Sequence, residues 1–140
     1  MKKITQENYT TDAYYAKIAK AATSVLQSDG FVSPLRVFMA MGLLSQQDVA
    51  AWEKGHMPYL EKSMQCDLSK AGKILRILRF YAHDLELKPS RTVYKSNAGK
   101  GVLKFSKSGE KKFEEAYCRH FIRPGDAGKR QLSTPDGEWE

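Results

Sequence analysis

The chain reads as a mostly helical α+β domain of about five helices with one β-hairpin, and three observations predict it. Capped segments with apolar residues at helical spacing follow one another between residues 12 and 87. Two β-biased runs, residues 91–96 and 102–106, flank a loop that carries glycines. A last apolar-periodic segment follows Gly109. Helices leading into a two-stranded ribbon predict a winged-helix-like arrangement; a helical bundle with a hairpin appendage fits the same order.

The first helix is expected over residues 13–27, with Asp12 as N-cap and Tyr14, Ile18, Ala21, Ala22 and Val25 at helical spacing. Ser28-Asp29-Gly30 ends it. Ser33 followed by Pro34 starts the second, because proline at the first helical position gives up only an amide that lacked a partner. Leu35, Phe38 and Met39 form its inner stripe, and it ends near Gly42. Ser45-Gln46-Gln47-Asp48 reads as a capping box opening a helix with Val49, Ala50 and Trp52 that stops at Gly55. Pro58 starts a further turn containing Tyr59 and Leu60.

Asp67 caps the longest helix, residues 68–87, which Pro89 terminates. Ala71, Ile74, Leu75, Leu78, Ala82 and Leu85 share its apolar face, while Lys73, Arg76, Arg79 and His83 project to the other side. Phe80 falls among those basic groups. Either another element covers it or it is a partner-contact residue on a basic face. A closing helix is expected over residues 110–122, with Phe113, Ala116, Tyr117 and Phe121 inward.

A length of 140 residues suits one domain, assigned to residues 1–123, with residues 124–140 as a flexible C-terminal tail. That tail is acidic and ends in Trp139-Glu140. Cys66 and Cys118 form no spacing pattern, which fits free thiols in a reducing cytoplasm. The basic N-terminus is followed by no apolar run, so no signal peptide is expected. The longest apolar stretch, residues 37–44, is far short of the roughly 20 residues a bilayer crossing needs, so no membrane contact is expected.

Charge is the strongest signal. Residues 88–112 carry eight cationic side chains against Glu110 alone, a local +7 equal to the net charge of the whole chain. The near-neutral front half joined to a basic back half points to one binding face for nucleic acid, DNA or RNA, or for an acidic protein partner. Lys73, Arg76 and Arg79 on the long helix, with Lys95, Lys100, Lys104 and Lys107 around the hairpin, are the expected phosphate contacts.

Residues 49–58, Val-Ala-Ala-Trp-Glu-Lys-Gly-His-Met-Pro, resemble the end of the DNA-reading helix in repressor-type helix-turn-helix domains. That resemblance implies base contact from Gln46, Gln47 and Lys54 in the major groove. It covers about ten residues and lacks the Ala-Gly turn expected upstream; a capped helix with Trp52 in the core is the other reading. A longer resemblance runs over about residues 31–122. Pro34-Leu35-Arg36-Val37-Phe38, Met41-Gly42, Trp52-x-x-Gly55-x-x-Pro58-Tyr59-Leu60-Glu61, Leu87-Lys88-Pro89-Ser90-x-Thr92-x-Tyr94 and Phe105-Ser106-Lys107-Ser108-Gly109 resemble a family of small uncharacterised bacterial proteins. It implies one bacterial cytoplasmic domain and transfers no site residue.

Catalytic patterns fail. His56, His83 and His120 have no metal-ligand spacing, and Cys118-Arg119-His120 sets two donors too close for a usual zinc pair. Gly99-Lys100-Gly101 lacks the upstream glycine and following hydroxyl of a phosphate loop. Glu114 and Glu115 are adjacent and read as a solvated helix edge. No enzyme activity, cofactor or metal is expected. The chain is expected to bind nucleic acid through a basic helix and hairpin, with regulation as one role such binding would serve; the alternative is an interaction module for an acidic protein in defence, phage or ribosome-associated regulation.

Overall fold

Ser33, Ser45 and Asp67 each accept a hydrogen bond from the main-chain amide three residues on, at 3.3, 3.1 and 2.8 Å, and so open three of the five helices. These side chains satisfy amides that the helix itself leaves without partners. The computed structural model describes residues 4–95 and 101–124. Lys100, most of the expected glycine-bearing loop and the acidic tail with Trp139 lie outside the described residues.

A 3-10 turn, Tyr9–Thr11, precedes helix α1 (Tyr15–Asp29). Asp12 sits two residues ahead of the Tyr14 N-cap and accepts from the Tyr14 amide at 2.9 Å. Gly30, at φ 82°, closes α1 in the left-handed conformation. Helices α2 (Pro34–Ala40) and α3 (Gln46–Glu53) follow, then a 3-10 turn, Leu60–Ser63. The long helix α4 spans Leu68–Asp84. It buries Ala71, Ile74, Ile77, Leu78 and Ala82. Leu85, expected inward, lies past the helix end and is exposed; Leu87 is buried instead. The reversal runs through Glu86 at φ 60° and a Leu87 amide bonded to the Ala82 carbonyl at 3.0 Å.

The chain is mostly helical α+β with a two-stranded antiparallel sheet, as the sequence predicts. The strands are β1 (Lys88–Arg91) and β2 (Arg119–Ile122), with Pro89 opposite Phe121 and Arg91 opposite Arg119. Phe121 also exchanges two main-chain hydrogen bonds with Val32, at 2.9 and 2.8 Å. Strand β2 is therefore flanked on both sides, and β1 is left on the edge, where proline costs no ladder bond.

Two expectations are corrected here. The closing helix, α5 (Lys111–Cys118), stops four residues early because Arg119 turns extended and enters β2. Among the described residues the expected hairpin shows one bridge, Lys95 with Val102, beside a 2.7 Å bond from the Leu103 amide to the Tyr94 carbonyl. The cause is competition for main-chain groups. The Lys104 and Phe105 carbonyls accept from the Leu60 and Glu61 amides at 3.1 and 2.9 Å, and the Phe105 and Ser106 amides donate to the Glu114 carboxylate at 2.9 and 2.7 Å.

One core extends from Tyr9 to Phe121. Its aromatic centre joins Trp52 to Phe105 (4.8 Å between ring centroids) and stacks Phe105 on Tyr117 (5.1 Å, 5° between planes). The Trp52 indole N–H also donates to the Lys104 carbonyl at 2.8 Å, which ties α3 to the segment ahead of α5. No helix among the described residues is long and apolar enough to cross a membrane.

Candidate nucleic-acid interface

Helix α4 carries a second stripe beside its core face. Gly72, Leu75, Arg76 and Arg79 recur at i, i+3, i+4 and i+7, so they share one side of the helix. Opposite them, α5 presents Lys112, Phe113 and Ala116, and β2 adds Arg119 and Phe121. Together these residues line a groove of about 390 Å³. Four cations and no carboxylate line it. None of the four has an ion pair among the described residues.

The groove depends on how α5 is held. Glu114 accepts from two main-chain amides and from the Ser106 hydroxyl at 2.5 Å, which fixes residues 105–106 against the helix. Glu61 accepts from the Lys107 amide at 3.1 Å and from the Tyr117 hydroxyl at 2.7 Å. Glu114 is thus a half-buried clamp rather than the solvated edge expected from sequence. Phe113, expected inward, is 40% exposed at the groove, with the Lys112 ammonium 5.1 Å from its ring centre. The core place on this face is taken by Tyr117, stacked on Phe105.

Of the residues expected to touch phosphates, the structure gathers Arg76 and Arg79 into the groove. Lys107 stands across an adjoining cavity that shares Gly72, Leu75 and Phe113 with it. Lys73 turns away to Asp12 at 3.2 Å, with its ammonium also 5.3 Å from the Tyr14 ring centre. Lys104 is exposed but folds back to donate to the Lys107 carbonyl at 2.9 Å. Lys95 is exposed at the bridge with Val102, and Lys100 lies outside the described residues. Gln46 and Gln47 are exposed on the first turn of α3 and Lys54 at its end; none of them lines the groove. Phe80 is half-buried, 5.8 Å from Tyr9, with the Arg79 guanidinium 5.1 Å from its ring centre. The N-terminal segment covers it.

Lys112 and Arg119 join the groove beyond the contacts that the sequence predicts. Their signal in the sequence is the spacing 112, 113, 116, 119, which places all four on one side of a continuous helix. The strand that begins at Arg119 keeps that side chain at the groove. A separate cavity of about 410 Å³ on the other side of α4 carries Lys17, Lys20 and Lys70.

Nucleophilic chemistry has poor support in this geometry. Burial pushes the Cys118 thiol up to about 12, so it stays protonated near neutral pH. Burial also raises Cys66. His83 is exposed beside Asp84, and His120 is buried with its Nε2 2.7 Å from the Tyr94 hydroxyl. Comparison with protein-family models, with curated proteins and with solved structures finds no match.

Proposed function

We propose that the protein binds nucleic acid by its phosphate backbone, through the groove between α4 and α5, and that it acts as a binding module rather than an enzyme. The observation that carries this reading is the lining of the groove: Arg76, Arg79, Lys112 and Arg119 face one space with no carboxylate among them. Arginine predominates, and its planar fork of N–H donors matches phosphate oxygens bidentately. A concave cationic site focuses potential and raises the local concentration of a polyanion. An acidic protein can answer the same charge. It would not need so many guanidinium groups over an apolar floor made of Leu75, Leu78, Phe113 and Phe121.

The affinity expected from such contacts is largely independent of sequence and falls with salt, because each neutralised phosphate releases condensed counterions. The winged-helix reading adds Lys95 and Lys100 as further candidates for backbone contact. The test is a salt titration of binding to DNA and RNA oligonucleotides by the native chain and by an Arg76→Gln/Arg79→Gln double variant. The native chain should give a steep fall of log affinity with log salt, and the variant a slope shallower by about one to two. Undetectable binding of every nucleic acid at low salt would sink the reading and favour an acidic protein partner.

A further inference from the structure

The cationic groove does not end at Phe113. Beyond it lies the second cavity, of about 520 Å³, and the two linings share Gly72, Leu75 and Phe113. Their chemistry differs sharply. The groove is edged by four cations. The second cavity has walls of Leu68, Leu75, Phe113 and Tyr117 and a polar rim of Ser106, Ser108, Glu61 and Glu110, with Lys107 also lining it. Leu68, 64% exposed, and Phe113, 40% exposed, open the apolar walls to solvent.

We propose that the occupant is a single strand, with its phosphates along Arg76, Arg79, Lys112 and Arg119 and one unpaired base in the cavity beyond Phe113. The proposal rests on the nucleic-acid reading above and narrows it to the class of nucleic acid. A duplex keeps its base faces stacked inside and offers phosphates and base edges, which leave an apolar cavity unfilled. A single strand exposes base faces that stack on aromatic rings and settle against aliphatic walls. The volume falls within the range of small-molecule sites, so it holds a base with room to spare.

The carboxylates assign the two parts of the ligand. Glu61 is held by the Tyr117 hydroxyl and the Lys107 amide, and Glu110 stands at the start of α5. Both repel phosphate from the second cavity, while the groove attracts it. The Ser108 hydroxyl and the Glu61 and Glu110 carboxylates can instead meet the N–H groups on a base edge.

Gly72 belongs to the same arrangement. Glycine inside a helix is less favourable than alanine, because it loses more backbone freedom on folding. Gly72 makes no close approach that would require it, because a Cβ built there meets nothing within 4 Å. It lies in both linings, so any side chain at this position stands in the passage between groove and cavity.

Three fluorescent probes of equal phosphate number decide the matter: a single-stranded oligonucleotide, a duplex of half its length, and an abasic strand that keeps the backbone and lacks the bases. The native chain should bind the single strand about tenfold or more tighter than the duplex or the abasic strand. Phe113→Ala and Gly72→Leu should each weaken single-strand binding more than abasic binding and so remove most of that margin. Phe113→Trp should keep the margin. Because Phe113 and Gly72 are both exposed, circular dichroism and thermal melting should report folded variants. Equal binding of all three probes, or a loss with Phe113→Ala that is as large for the abasic strand, would overturn the base-pocket inference and leave the phosphate reading standing. No binding of any probe at low salt would overturn both.

Discussion

The Lys73 ammonium lies 3.2 Å from the Asp12 carboxylate, across the junction between the N-terminal turn and α4. That contact separates Lys73 from Arg76 and Arg79, its neighbours in sequence, which point into the groove beside α5. A cation already answered by a carboxylate has less to gain from a phosphate. Lys73→Gln should therefore change nucleic-acid affinity by no more than about twofold, whereas Arg76→Gln should cost several-fold at low salt. Fluorescence anisotropy on the two single variants checks this. Equal losses would mean that Lys73 leaves Asp12 for the ligand.

Glu114 supports the groove without lining it. Its carboxylate accepts from the amides of Phe105 and Ser106 and from the Ser106 hydroxyl. Phe105 and Ser106 are buried, so Glu114→Ala strands donors away from water. Each such group costs on the order of 1–3 kcal/mol, and the whole substitution about 3 kcal/mol. Urea unfolding should show a lower midpoint for Glu114→Ala than for Glu115→Ala, whose side chain makes only a long 3.9 Å pair with Lys111. Similar midpoints would place residues 105–106 under the control of some other contact.

Gly72 gives a prediction of opposite sign. With open space where a Cβ would stand, Gly72→Ala should stabilise the protein by roughly 0.5–1 kcal/mol by removing backbone freedom from the unfolded chain. Thermal melting measures it as a rise of a few degrees. A fall would reveal crowding on this side of α4.

Alkali should unfold the protein in a defined window. Burial is the largest cause of the raised values at Cys66, Cys118, Tyr9, Tyr94 and Tyr117. Each group stays neutral in the folded chain after its unfolded counterpart has ionised. Their contribution is complete below the ordinary thiol value of 9.0 and declines as pH rises from there toward about 12 for Cys118. Denaturant unfolding at pH 7, 9 and 10.5 should give stability that is level at first and then drops. Stability that holds through pH 10.5 would contradict the burial of these groups.

The helices were legible because their signals are local. Ser33-Pro34, Ser45 and Asp67 each act on an amide three residues away, and the apolar spacing of α4 needs only its own sequence. The register of β2 was not. Residues 119–122 continue the helical pattern of α5, and their strand state comes from Val32 and Lys88–Arg91, distant in sequence. Residues 104–105 leave the hairpin for a similar reason, since Leu60 and Glu61 claim the carbonyls that a ladder would have used. The charge run weighs Lys95, Lys100, Lys104 and Lys112 alike. The convergence of Lys112 and Arg119 with Arg76 and Arg79 depends on how α5 docks through Glu114, Tyr117 and Phe105, which no local signal carries. Periodicity predicts Phe113 inward, yet Tyr117 fills that space by stacking on Phe105.

The central claim is the place of binding, and amide chemical-shift mapping during titration with a short single-stranded oligonucleotide tests it most directly. Shifts concentrated at residues 72–79 of α4, 112–116 of α5 and 119–121 of β2 are the predicted result. Shifts centred instead on Lys17, Lys20 and Lys70, or a spectrum that does not change at low salt, would contradict it.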